Sequence, residues 1–475
     1  MIAEAPFAGT RANRRDNPIY IQRFDSPSFY TVGDRVEGVL LVAPARTSRI
    51  SASLRGFSIV QTPSAKSVAI EFYQETQDLF VSFRDGENLD ALPKSSKNPG
   101  KTELPFSLTF AQHANLPPPP GRDWFHPEDS YNHPRFQHSP GFPLPPSCSA
   151  NIPTNARIVY QLEACMEHLT PGSLPIRVRE ELTFVPAPPE FRLALLQPDL
   201  NFGSKLPKHC CREKFVRSRK LFPNYDERGG KLMKFKEKLA DKELLFGLQS
   251  FAEVPYVKFN VFATPASVLI VGSDVPAIIT VQHLKRSESL QTPPDLFIRR
   301  VKVQLNSVYN TFTPGDPSGR QISKPNVQTE RSQFLLFDKK YEKGNGEPLY
   351  DGLSLSDIAD VKLINGDFVP SFTTYGLNLE YELQIEITGK CADREWAGIV
   401  CTQPVQIVTE LQTSARFEVA DGGDTYEAEP RPIYHEVDPM TRPQNVYASR
   451  EAHELDSRHN APPMANNVPP PEYTA

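Results

Sequence analysis

The chain has 475 residues, 39% of them hydrophobic and 10% aromatic, with 47 prolines and a formal net charge of −5. Proline at about twice its usual ~5% share excludes a mainly helical protein, because each proline removes an N–H donor and clashes with the preceding turn. The slight negative charge excludes a globally basic nucleic-acid coat, so no nucleic-acid partner is expected. The length suggests about two to four domains.

No run approaches the ~18 apolar residues of a transmembrane helix. Met1–Pro6 lacks the basic and apolar regions of a secretory signal. Six cysteines are sparse for a disulfide scaffold, and two of them, Cys210 and Cys211, are adjacent. A reduced, cytoplasmic protein is expected.

Residues 1–18 read as a flexible N-terminal arm. Val32–Val42 reads as the first strand. Ile50–Gly56 alternates apolar and polar residues, then switches parity at Phe57 and Ile59, which predicts a β-bulge. Leu104, Phe106, Leu108 and Phe110 alternate, with Pro105 pointing to an edge or strand start. Residues 93–153 hold 14 prolines, including Pro117–Pro120 and Pro143, Pro145 and Pro146. This stretch reads as polyproline II or irregular loop, with a proline-rich insertion at about 117–153. Ile158, Tyr160, Leu162 and Ala164 form a further strand, its alternation broken by Val159. Together these make a first domain, 19–190. Near its end Pro188-Pro189-Glu190-Phe191 reads as a structural linker.

Residues 191–254 form a basic interdomain segment, and 205–243 carry 13 Lys/Arg against 6 Asp/Glu. Leu232, Phe235, Leu239 and Leu245 are spaced as in a short amphipathic helix. Lys214, Lys220, Lys231, Lys234, Lys236 and Lys238 are candidates for contact with an anionic membrane surface, at about 1 kcal/mol per charge. They are equally candidates for ubiquitin acceptors, or for an ordinary solvated linker. Cys210 and Cys211, beside His209, Arg212 and Lys214, are either S-acylation sites or unmodified thiols.

Beyond it, Val257, Phe259 and Val261 alternate, as do Val301, Val303 and Leu305. From Leu377 to Thr388 the alternation is strict, with Leu377, Leu379, Tyr381, Leu383, Ile385 and Ile387 on one face. A weak internal repeat aligns Val32–Val42 with Val271–Val281. Each copy is followed by an alternating strand and then by a strand centred on a tyrosine, Tyr160 or Tyr381. The fold class expected is all-β: two tandem antiparallel immunoglobulin-like sandwiches, 19–190 and 255–420, and a disordered tail, 421–475.

Motifs of catalysis and metal binding are absent. Cys391 and Cys401, across a hairpin or in neighbouring strands, read as buried free thiols, and no CxxC pair exists for zinc. His453 and His459 are spaced wrongly for a zincin helix. The serine of Gly315–Gly319 is one position off a nucleophile elbow. No cofactor is expected, and the chain reads as non-enzymatic. Ser287, Ser289 and Thr292 lie beside Lys285 and Arg286, a setting that suits a kinase. The tail carries Pro470-Pro471-Glu472-Tyr473, a PPxY motif. Its two prolines preform a polyproline II turn that slots between aromatic side chains of a WW domain, and the tyrosine ring fills a second pocket.

The collinear set resembles a known family. Thr31–Leu41 resembles the "GD-x-V-x-G" strand of arrestin N-domains, and Leu54-Arg55-Gly56 the Leu-x-Gly end of the next strand. Leu104–Phe110 followed by Leu116-Pro117-Pro118 resembles the "PFSF…LPPS" segment, Ile158–Ala164 the following core strand, and 256–420 the arrestin C-domain. An arrestin-like fold ending in PPxY resembles the α-arrestins, or arrestin-related trafficking adaptors. That resemblance implies an adaptor whose sandwiches bind a membrane transporter or receptor while Pro470, Pro471 and Tyr473 recruit a WW-domain HECT-type ubiquitin ligase. The cargo is then ubiquitinated for endocytosis and sorting. Such a protein is cytoplasmic and peripherally recruited to plasma membrane or endosomes. Many members carry two PPxY motifs, and one full copy stands here; a single copy lowers avidity. The alternative is a retromer-like or coat-type scaffold on the same fold, with an incidental PPxY.

Overall fold

The structure is a computed structural model that describes residues 10–44, 47–61, 67–81, 94, 98, 100–118, 133–149, 155–168, 173–188, 192–200, 211–222, 254–313, 326–341, 346–364 and 368–409. By backbone contacts the chain divides into Met1–Ser414 and Ala415–Ala475, and every described residue belongs to the first unit. The tail expected to be disordered lies outside the described residues.

The first half runs β1 (Thr10–Ala12), β2 (Ile19–Arg23), β3 (Arg35–Val42), β4 (Thr47–Gln61), β5 (Ser67–Val81), β6 (Thr102–Thr109), β7 (Cys148–Ser149), β8 (Arg157–His168) and β9 (Ile176–Leu182). The second runs β10 (Cys211–Arg217), β11 (Tyr256–Pro265), β12 (Val268–Ile270), β13 (Ala277–Arg286), β14 (Leu296–Thr313), β15 (Asn326–Lys340), β16 (Glu347–Leu349), β17 (Leu353–Ser354), β18 (Phe372–Thr373), β19 (Leu377–Cys391) and β20 (Arg394–Val408). Among the described residues the helical pieces are single turns, such as Leu355–Ile358. The all-β expectation holds.

The larger sheets of the two halves share one strand order. The larger sheet of the first half is ordered β1-β9-β8-β4-β5, and that of the second β12-β20-β19-β14-β15. In each, the outermost short strand pairs in parallel, β1 with β9 and β12 with β20, while the other described ladders are antiparallel. The smaller sheets are β2-β3-β6 and β10-β11-β13-β17. Details repeat as well. Gly33 and Gly272 stand before β3 and β13 at φ 84° and 86°, a left-handed turn that glycine adopts without a Cβ penalty. Tyr160 in β8 donates its hydroxyl to Pro145 O at 2.8 Å, and Tyr381 in β19 donates to Val369 O at 2.7 Å.

The larger and smaller sheets of each half share a core. In the first, Phe110, just past β6, stands 5.6 Å edge-on from Tyr160, and Phe184 stacks on Phe110 at 4.9 Å. In the second, Phe259 of β11 meets Trp396 of β20 at 5.7 Å. The period-two face of β19 buries Leu377, Leu379, Leu383, Ile385 and Ile387 almost completely, each burial stabilising by roughly 1.5–3 kcal/mol.

The parity switch after Gly56 coincides with a bulge, as expected, and the extra residue sits on the partner strand β5. β4 keeps an unbroken register with β8 through Gly56↔Tyr160 and Phe57↔Val159. The irregularity lies in the pairing with β5, where Gly56↔Tyr73 is followed by Phe57↔Glu71 and Phe72 is the extra residue. Phe57 and Ile59 form a small separate cluster with Val159. Gly56 is required because a Cβ there would stand 2.8 Å from the Phe72 ring and 2.9 Å from that of Tyr160.

Three boundaries also differ. Residues 10–18, expected as flexible arm, include β1, whose Thr10 pairs Arg177 of β9. Asn13 pins this segment: its Nδ2 donates to Ile21 O at 2.8 Å, and its Oδ1 accepts from Ile21 N at 2.9 Å. The proline-rich stretch is not irregular loop throughout. His113 bridges Pro143, Ala114 N donates to Phe142 O at 2.9 Å, and Phe136, Phe142 and Leu144 are buried in the core. Finally, Cys211–Arg217, expected within an interdomain segment, is β10, antiparallel to β11 and part of the second half. The expected helix at 231–245 lies outside the described residues.

Candidate functional site: the junction between the halves

Three segments meet where the halves join. Residues 133–149 return from the insertion across the edge of the second half, β14 and β19 present the end of their sheet, and Thr374–Gly376 turn beneath Phe142. Asn310 and Asn378 are directly opposed in the β14–β19 ladder and are almost fully buried. Asn310 Nδ2 donates to Asn378 Oδ1 at 2.9 Å, and Asn378 Nδ2 donates to Thr373 Oγ1 at 2.9 Å. Thr329 Oγ1 donates to Asn310 Oδ1 at 2.9 Å, and the Arg135 guanidinium donates to the same oxygen. A buried amide pair of this kind is stable because each polar atom used has a partner.

Around this network lie further ties between the halves. Gln137 N donates to Thr374 O at 3.1 Å, Tyr375 OH to Leu116 O at 2.8 Å, and Ser58 Oγ to Tyr375 O at 3.2 Å. The Tyr375 and Phe142 rings meet edge-on at 5.1 Å. Burial pushes the Tyr375 phenol up to about 12, so it acts as a neutral donor.

A cleft of about 1420 Å³ opens beside the junction. Pro143–Pro146 and Pro186–Pro188 line it from the first half, and Asn378–Glu382 and Pro404–Thr409 from the second. Seven lining residues are prolines. Each contributes a carbonyl without an N–H, so the wall is rigid and accepts more hydrogen bonds than it donates. Arg135 and Arg331 add positive charge, Glu380 and Glu382 negative. The arrangement suits binding of an extended polar segment with its own N–H donors.

The cysteines whose side chains are described show no sign of activation. Burial pushes the Cys148, Cys391 and Cys401 thiols up to about 12, away from the thiolate that attacks or ligates. Cys391 and Cys401 are buried free thiols on the β19–β20 hairpin. Among the described residues no cluster of His, Cys, Asp or Glu could hold a metal, and no helix is long and apolar enough to cross a membrane.

The candidates from sequence are scattered. Pro470, Pro471 and Tyr473, Lys231, Lys234, Lys236 and Lys238, and Cys210 lie outside the described residues. So do His453, His459 and Gly315–Gly319. Cys211 begins β10, and its side chain is outside the described structure. Lys214 donates its Nζ to Ala397 O of β20 at 2.9 Å. Lys220 lies in a 3-10 turn capped by Ser218. Ser287 is buried, its Oγ accepting from Tyr256 N at 2.9 Å, so of the three loop hydroxyl residues only Ser289 and Thr292 are exposed. Arg135, Asn310, Asn378 and Tyr375 carried no signal in the sequence, being isolated polar residues that meet only on folding.

No protein-family model matches the chain, and no curated protein matches it significantly.

Proposed function

We propose that the chain is an arrestin-like adaptor, each half an immunoglobulin-like β-sandwich, and that it works by binding rather than by catalysis of its own. One observation carries this reading: the same five-strand order, each time closed by a parallel pair at its edge, stands twice in tandem, the first copy carrying the collinear motifs around Gly33, Gly56, Phe106 and Tyr160. In this reading Pro470, Pro471 and Tyr473 recruit a WW-domain HECT-type ubiquitin ligase, and the two halves present a membrane transporter or receptor to it. Ubiquitination then directs the cargo to endocytosis and sorting. The junction supports the reading physically, because Arg135, Asn310, Asn378 and Tyr375 tie both halves into one piece that can present a single surface to a cargo.

The test is binding of the full chain to WW domains of a HECT-type ligase, wild type against Tyr473→Ala, with ubiquitination of the protein read in the same assay. Loss of both is expected, because the tyrosine ring fills one of the two WW pockets. Unchanged binding and modification would refute the recruitment and favour the coat-type scaffold.

A further inference from the structure

The smaller sheet of the second half concentrates positive charge in a chain whose net charge is −5. β10, β11 and β13 together hold six Lys/Arg and a single carboxylate, Glu213. The register sorts these charges by face. Phe215 pairs Lys258, which pairs Lys285, and Arg217 pairs Tyr256 in the next row but one. Strand alternation puts Phe215, Arg217, Tyr256, Lys258 and Lys285 on the side away from the core residues Val216, Val257 and Phe259.

Two features of this face serve no purpose in the fold itself. Lys258 and Lys285 are directly opposed on neighbouring strands, an arrangement that destabilises a sheet, and neither has a carboxylate partner among the described residues. Phe215 is 53% exposed, with Tyr256 at 5.6 Å and the Lys258 ammonium 5.8 Å from its ring centroid. Leu284, at the bulge beside Lys285, is 44% exposed. Cations and apolar rings interleaved on a flat sheet match a layer of anionic headgroups over hydrocarbon.

We propose that this face, built on Arg217, Lys258 and Lys285 with Phe215 as its apolar anchor, docks the protein on an anionic lipid surface. The site differs from the lysines singled out in the sequence, since Lys214, on the opposite face of β10, spends its ammonium on Ala397. The proposal rests on the adaptor reading for its biological setting alone.

Its test uses the full chain and vesicles without any ligase. Co-sedimentation is measured with phosphatidylcholine alone and with about a quarter of the lipid as phosphatidylserine. Binding is expected only with the anionic lipid and should weaken as salt rises. Lys258→Gln with Lys285→Gln should lower affinity roughly 25-fold, at about fivefold per charge. Phe215→Ala should weaken binding and leave the salt dependence intact. Relief of the opposed charges means the double variant should melt no lower than wild type, so lost binding will not be unfolding. WW-domain binding should be unchanged in it, so that failure here and failure of the ligase reading are separately visible. The proposal is overturned if the wild type ignores anionic vesicles, or binds an acidic peptide and no vesicle. It is equally overturned if the double variant binds as wild type while substitution of Lys231, Lys234, Lys236 and Lys238 abolishes binding.

Discussion

Replacing Asn378 by leucine removes two polar atoms from the junction and keeps a branched side chain of the same number of heavy atoms. Asn310 Nδ2 then loses its acceptor at 2.9 Å, and Asn310 is fully buried, so water cannot substitute. A stranded buried donor costs about 1–3 kcal/mol. Thr373, which loses a donor at 2.9 Å, is half-buried and can rehydrate, adding little. The extra apolar area of leucine offsets up to about 1 kcal/mol, so the net loss centres on about 1.5 kcal/mol and does not exceed about 3 kcal/mol. Urea titration followed by circular dichroism should show a lower midpoint with an unchanged slope. The companion variant Asn310→Leu/Asn378→Leu removes donor and acceptor together and should cost about 1 kcal/mol less than the sum of the single changes. A single variant within about 0.5 kcal/mol of wild type, or strict additivity of the pair, would refute the claim that these amides form one network.

Two further outcomes follow from the second half. Gly389 lies opposite Trp396 in the β19–β20 hairpin, and a Cβ there would stand 2.3 Å from the indole. Gly389→Ala should therefore cost about 1–3 kcal/mol by overpacking, visible as a lower melting temperature; no shift would mean the indole moves aside freely. His283, exposed toward the end of β13, has its pKa lowered by partial desolvation and then by Arg286, with Asp351 opposing. Its folded state favours the neutral ring, so its contribution is complete above the unfolded value of about 6.5 and declines as pH falls through it. His283→Gln should flatten the drop in stability between about pH 7.5 and 5.5; an unaltered pH profile would show that the ring titrates alike folded and unfolded.

Local periodicity explains which elements were readable. β19 alternates for a dozen residues because one face meets the core and the other does not, and that pattern needs no tertiary knowledge. The repeat of Gly33 and Gly272, and of Tyr160 and Tyr381, was equally local. β10 escaped because its composition is basic and Val216 is the one residue among its described side chains that it buries. The parity switch at Phe57 was legible and marks a real bulge, but it did not show that the extra residue, Phe72, belongs to the partner strand. The junction could not be read at all. Arg135 reaches Asn310 across 175 residues and Asn310 reaches Asn378 across 68, and the proline-rich stretch that delivers Arg135 has the composition of a loop.

Two halves with one strand order need not do the same work, and their differences lie outside the shared strands. The first half returns from its insertion through Arg135, Gln137 and Phe142, residues that face the second half and so fix the pair together. The second half adds β10 to the edge of its smaller sheet, where the first half ends at β2, and β10 supplies Phe215 and Arg217. Addition at a sheet edge costs the parent fold little, because the new strand satisfies hydrogen bonds that were open to solvent. The junction and the basic face thus arise from separate additions to one duplicated frame. Variants at Asn378 should therefore change how the halves hold together without altering lipid binding, and variants at Lys258 and Lys285 the reverse.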